Sequence, residues 1–190
     1  KPLRSLSVSF DGTTILTGGG DGRVTVYDAA SGEVKHVISE RKTFVRAIDI
    51  SVDGNHIASG DDDGFLLVSD KDGNTKFSFK EAKGWIRSVR FSMDGKYVAA
   101  GDDWGNIFIY SLEKGVLTEK ISEGNVPVVS LTFSPDGKEF AFIESQKAVK
   151  VWSVPKLSIA SVFRFKDQKD RTPPQIFVSS PPNIQEEKIR

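Results

Sequence analysis

The chain contains no cysteine. That excludes disulfides, thiolate zinc sites and cysteine nucleophiles, and it leaves the redox compartment unmarked. There is no excess of one charge: 26 Lys and Arg balance 26 Asp and Glu. A balanced chain offers no bulk field to nucleic acid or to an anionic membrane surface, so neither is an expected partner. No apolar run approaches the roughly 20 residues of a membrane-spanning helix. Histidine is scarce, with His36 and His56 alone. They lie in different apolar-alternating runs, at no spacing that suits a catalytic triad or a zinc site, and read as ordinary strand residues. No compartment address is legible. The first residue is Lys1 rather than Met, which raises the expectation of an excised or processed piece.

What is present is glycine and a repeat. Asp-Gly pairs fall at Asp11-Gly12, Asp53-Gly54, Asp94-Gly95 and Asp136-Gly137, a period of 41 or 42 residues. A period of this size points to a solenoid, a propeller or an array. Each unit holds four short β-type runs separated by turn residues, as in LRSLSVSF, TTILT, RVTVYD and EVKHVIS of the first. No segment keeps a 3.6-residue apolar period, so helical repeats are not expected. Glycine and Asp tolerate the positive φ that tight hairpins need. Four strands so joined form one twisted sheet whose two apolar faces call for neighbours on both sides. Radial stacking of such sheets supplies them. The expected fold is all-β, with blades at residues 3–39, 40–80, 81–122 and 123–165 and a Pro-rich tail or linker at 166–190.

The V-x-F-S-x-D-G type segment at the end of each first run, the turn aspartates Asp21 and Asp63, and Val151-Trp152-Ser153 together resemble the WD40-repeat family. The resemblance covers residues 3 to about 165. It implies four-stranded propeller blades and a role in assembling proteins. The chain departs from the family at the Trp-Asp dipeptide, which reads Tyr27-Asp28, Ser69-Asp70, Tyr110-Ser111 and Trp152-Ser153. The Gly-His pair is missing, and the turn Asp becomes Trp104 and Gln146 in the later repeats. The family's Asp-His-Ser-Trp hydrogen-bonded tetrad is therefore not expected. Four blades leave three arrangements open: a part of a longer ring, two copies pairing into an eight-bladed ring, or a self-closed four-bladed ring. The stretch Thr172-Pro-Pro-Gln-Ile-Phe-Val-Ser-Ser-Pro181 resembles the entry to an immunoglobulin-like module. Between its proline pairs QIFVSS suits one short strand.

No reactive constellation is present, so catalysis and a cofactor are not expected. GGGDG (18–22) is followed by no Lys and helix start, which excludes a phosphate-binding P-loop. GDDDG (60–64) lacks the alternate spacing that aims carboxylates at one calcium. Arg4, Arg46 and Arg87 stand in register at the start of the first run of each unit, with Val129 in the fourth. Guanidinium and carboxylate pair strongly. These arginines are expected either to tie down the Asp-rich loops or to form a charged rim. Phe44, Trp85 and Trp104 fall on the same face and suit either a binding hot spot or packing between blades. The candidate partner-binding set is Phe44, Arg46, Asp62, Asp63, Trp85, Arg87, Asp103 and Trp104. The alternative readings are a ligand-binding or enzymatic propeller with an Arg/Asp site at the channel mouth, and a regulatory spacer in a larger protein.

Overall fold

The computed structural model describes residues 1–122, 124–144, 148–153, 158–164 and 175–177. It contains β-strands and no helix among the described residues. The first sheet holds β1 (Leu3–Val8), β2 (Thr14–Gly19), β3 (Arg23–Asp28) and β4 (Val34–Glu40). The second holds β5 (Val45–Ile50), β6 (His56–Asp61), β7 (Leu66–Asp70) and β8 (Thr75–Phe79). The third holds β9 (Ile86–Phe91), β10 (Tyr97–Asp102), β11 (Asn106–Ser111) and β12 (Val116–Ser122). The fourth holds β13 (Val128–Phe133), β14 (Glu139–Glu144), β15 (Ala148–Ser153) and β16 (Ser158–Arg164). A short β17 (Gln175–Phe177) adds to the edge of β16, inside the QIFVSS stretch. All pairings are antiparallel and sequential, and we call the sheets blades 1 to 4.

The Asp-Gly pairs make one turn four times. Ser9, Ser51, Ser92 and Ser134 each donate their hydroxyl to the Asp two residues on, at 2.6 Å in every blade. The same hydroxyl accepts the amide that opens the second strand, from Thr14, His56, Tyr97 and Glu139. The glycine then takes a φ of 68 to 72°, a region that costs residues with a Cβ. These bonds hold the carboxyls of Asp11, Asp53, Asp94 and Asp136 below the ordinary 3.8. The seryl hydroxyl is the main cause at Asp11, Asp53 and Asp136. At Asp94 partial burial pushes upward, and the bonds from Ser92 and the Lys96 amide outweigh it.

The first strands β1, β5, β9 and β13 lie side by side in chain order along the inner edge of an arc. Each junction has the same chemistry. Two aliphatic side chains of a first strand press on a glycine in the second strand of the blade before. A Cβ on Gly18 would lie 2.6 Å from a Val45 methyl, one on Gly60 2.3 Å from an Ile86 methyl, and one on Gly101 2.5 Å from a Val128 methyl. Glycine is required because a side chain would occupy the neighbour's place. In blade 4 the same register position is Ile143, which is exposed. Three apolar clusters fill the junctions. Leu16, Val24 and Val26 meet Val45, Ile48 and Ile50 between blades 1 and 2. Leu66, Val68 and Phe79 meet Ile86, Val89 and Phe91 between blades 2 and 3. Ile107 and Ile109 meet Val128, Leu131 and Phe133 between blades 3 and 4. No closed ring is found: among the described residues the face of blade 1 carrying Leu3, Leu6, Val8 and Phe10 is open to solvent.

Candidate functional site

Every first strand carries an irregularity one residue after its start. The pairing register skips Arg4 between Leu3 and Ser5, Arg46 between Val45 and Ala47, Arg87 between Ile86 and Ser88, and Val129 between Val128 and Ser130. A bulge leaves its extra residue out of the ladder and redirects the side chain. Here it turns Arg4, Arg46, Arg87 and Val129 toward one shared cavity of about 220 Å³ at the inner edge of the arc.

Two of the three arginines meet carboxylates on the loop after the second strand of their own blade. Arg46 grips Asp62 through Nε and, at 3.0 Å, through Nη2. Arg87 donates its Nε to Asp103. The loops are also held by backbone: the Asp62 amide donates to the Phe44 carbonyl and the Asp103 amide to the Trp85 carbonyl. In blade 1 the register position of Asp62 and Asp103 is Gly20. Its amide donates to the Pro2 carbonyl in the same way, without a carboxylate to offer.

Trp85 lies between the two paired arginines. The Arg46 guanidinium stands 3.9 Å over its ring centre, and that of Arg87 5.5 Å away. Contacts of this kind fix both partners, yet Trp85 keeps 39% of its surface exposed. Trp104 is more exposed, at 55%, and sits against Gly84, where a Cβ would lie 2.4 Å from its Cδ1. Arg87, Asp103, Trp104, Asn125 and Pro127 line a second groove beside the first cavity. Phe44 is half-exposed and packs over Gly20, one blade away from Trp85. Asp63 is exposed, and its amide donates to Asp61. The structure thus gathers Arg46, Asp62, Trp85, Arg87, Asp103 and Trp104, and leaves Phe44 and Asp63 at the periphery.

The sequence groups Asp61 and Asp102 with the acidic loops, but the candidate binding set takes only Asp62, Asp63 and Asp103. Asp61 and Asp102 are buried and organise these loops. Asp102 accepts the Trp104 and Asn106 amides and the Asn106 side chain. Asp61 accepts the Asp63 and Phe65 amides, with Arg41 Nη1 at 3.2 Å. Burial pushes the Asp61 carboxyl up, against the pull of the Phe65 amide and Arg41. The signal was readable: in both loops the first Asp closes a strand, where its carboxylate can reach amides further along the turn. Further along β5, Asp49 was also missed. It accepts the Phe91 amide at 2.8 Å from blade 3 and the Ser7 hydroxyl at 3.2 Å from blade 1, tying three blades together. Burial raises its carboxyl, while the Phe91 amide and Arg90 lower it. Its signal was a carboxylate set between Ile48 and Ile50.

The histidines take structural places. His36 Nε2 lies 2.8 Å from the Lys71 carbonyl, and the His56 amide donates to Ser51. No group of three or more His, Asp or Glu with metal-holding geometry occurs among the described residues.

Four-stranded sheets, Ser-Asp-Gly turns and glycine junctions at a period near 42 residues set the terms for comparison with known proteins. The family model described as "WD domain, G-beta repeat" matches residues 1–28, 32–70 and 73–111, more than half of the chain. The chain belongs to the WD40-repeat family. The matched stretches are offset from the sheets by one strand: the first takes in β1–β3, the second β4–β7 and the third β8–β11. A curated relative is the "Periodic tryptophan protein 2 homolog" of Dictyostelium discoideum, 28% identical over 158 residues. The alignment covers 80% of this chain and 17% of that relative, so this WD40 chain spans about a sixth of the relative's length.

Proposed function

We propose that the chain is a non-catalytic platform that binds a protein partner through the face built from Arg46, Trp85, Arg87 and Trp104. Phe44, Asp62, Asp63 and Asp103 form its surround. Membership of the WD40 family supports an interaction role in general terms. The observation that carries the reading is Trp85, stacked between two arginine guanidinium groups and still exposed. Trp and Arg are enriched in binding hot spots, and Trp supplies large contact area at little cost in side-chain freedom. A pre-positioned Trp beside a second exposed Trp meets that requirement. Affinity capture with wild type, Trp85→Ala and Trp104→Ala tests it, with exposed Val116→Ala as the control. The reading expects each Trp variant to weaken retention of a captured partner by at least about tenfold, the scale of one hot-spot side chain. Retention unchanged in both variants would remove the face from consideration.

The exposed apolar strip Leu3, Leu6, Val8 and Phe10 favours a second reading, in which a second copy of the chain covers it. Light scattering across a concentration series distinguishes this dimer from a monomer.

A further inference from the structure

We propose that the cavity lined by Arg4, Arg46, Arg87 and Val129 is an oxyanion subsite, with Arg4 as the recognising cation for a carboxylate or phosphorylated side chain of a protein partner. The inference rests on the platform reading and names the chemistry that platform selects. Four bulges in register place Arg4, Arg46, Arg87 and Val129 around one cavity. Two of the three cations are neutralised in place, by Asp62 and Asp103. Arg4 is not. Its blade carries Gly20 where the others carry Asp, and among the described residues Arg4 pairs with no carboxylate. Blade 1 has the cation and no carboxylate at the partner position, which leaves one excess positive charge at an open cavity.

The donor inventory points the same way. A guanidinium has five N–H donors. Arg46 directs Nε and Nη2 at Asp62, and Arg87 directs Nε at Asp103. Each keeps further Nη hydrogens for another acceptor, so the cavity can offer donors from three arginines to one group. Trp85 holds Arg46 and Arg87 from behind, which removes much of the ordering cost that a long side chain meets on binding. Charge-assisted bonds from several guanidinium groups are the recurrent solution for carboxylate and phosphate recognition. Asp21 is the nearby acid of blade 1, and its carboxylate accepts the Arg23 amide. Asp63 is exposed on the neighbouring turn. These carboxylates favour a localised oxyanion seated on Arg4 over a broad polyanion surface such as nucleic acid.

The test is a titration at fixed ionic strength, read by calorimetry and by tryptophan fluorescence, with inorganic phosphate, acetate and chloride as probes. The proteins are wild type, Arg4→Gln and Arg4→Lys. Arg4 is exposed, so the variants leave the core intact, and circular dichroism verifies this. The expected result is saturable binding of phosphate or acetate above chloride. It should weaken about tenfold in Arg4→Gln and recover in part in Arg4→Lys, as loss and return of one charged hydrogen-bond donor require. Preference for phosphate assigns a phosphorylated side chain, and preference for acetate a carboxylate. Binding no better than chloride, or equal in Arg4→Gln, overturns the subsite. Partner capture run on the same variants separates the two readings. Capture that depends on Trp104 and ignores Arg4 overturns the subsite and keeps the platform.

Discussion

Leu6, Ile48, Val89 and Leu131 hold one register position in four successive blades. The last three are buried to 1% exposure or less, whereas Leu6 is 66% exposed. Leu3 stands in the same relation to Val45, Ile86 and Val128. The side chains are alike and the backbone is alike. The difference is the neighbour: β5, β9 and β13 each lean on the glycine of a preceding blade, and β1 leans on nothing among the described residues. Burial in a repeat protein is thus a property of the junction rather than of the repeat. Blade 1 shows the first-strand half of a junction without its glycine half. Blade 4 shows the reverse case, where Ile143 replaces the glycine.

The comparison can be broken by substitution. The largest effect is expected at the buried register position. Ile48→Ala removes side-chain volume from a closed junction and should cost about 2–5 kcal/mol, while Leu6→Ala should stay within about 0.5 kcal/mol. Next comes the glycine side. Gly60→Ala sets a Cβ 2.3 Å from an Ile86 methyl, and such overpacking should cost about 1–3 kcal/mol in denaturant midpoint analysis. Ile143→Ala, at the same register in blade 4, should be close to neutral. The loop carboxylates come third. Asp102→Ala leaves the Trp104 and Asn106 amides without an acceptor and should cost about 1–3 kcal/mol. Hydrogen exchange at those two amides would report the opening directly.

The smallest effect is the acid limb. Asp11, Asp53, Asp94 and Asp136 have folded values below 3.8. Their contribution to stability is complete above 3.8 and is lost as the pH falls through the folded values. Asp49 and Asp61 are raised and act in the opposite sense, favouring the folded state as they take up protons. Unfolding measured from pH 6 to pH 3 should therefore lose stability below about pH 4. Asp53→Asn should flatten that loss, and an unchanged slope would count against the turn chemistry.

Much of this was legible beforehand. Asp-Gly spacing set the period, and alternating runs set sixteen strands in four sheets, because turn glycines and β-branched runs are local signals. The arginine register raised the expectation that Arg4, Arg46 and Arg87 tie down the Asp-rich loops, and two of the three do so, as Arg46–Asp62 and Arg87–Asp103. Three things were not legible. The bulges that turn the arginines into one cavity arise from pairing between strands, which leaves no mark in composition. The cost of a side chain at Gly18, Gly60 and Gly101 depends on a neighbouring blade some 27 residues further on. The exposure of Leu6 reflects the lack of a covering blade among the described residues, and its own strand reads like any buried one.

The central claim is that junctions, not repeats, hold the chain together, and that β1 stands outside them. Equilibrium unfolding of Leu6→Ala and Ile48→Ala, measured side by side with wild type, tests it most directly. The account predicts a gap of about 2 kcal/mol or more between the two variants. Equal losses would contradict it, because they would mean that the β1 face is covered in solution as fully as the faces inside the arc.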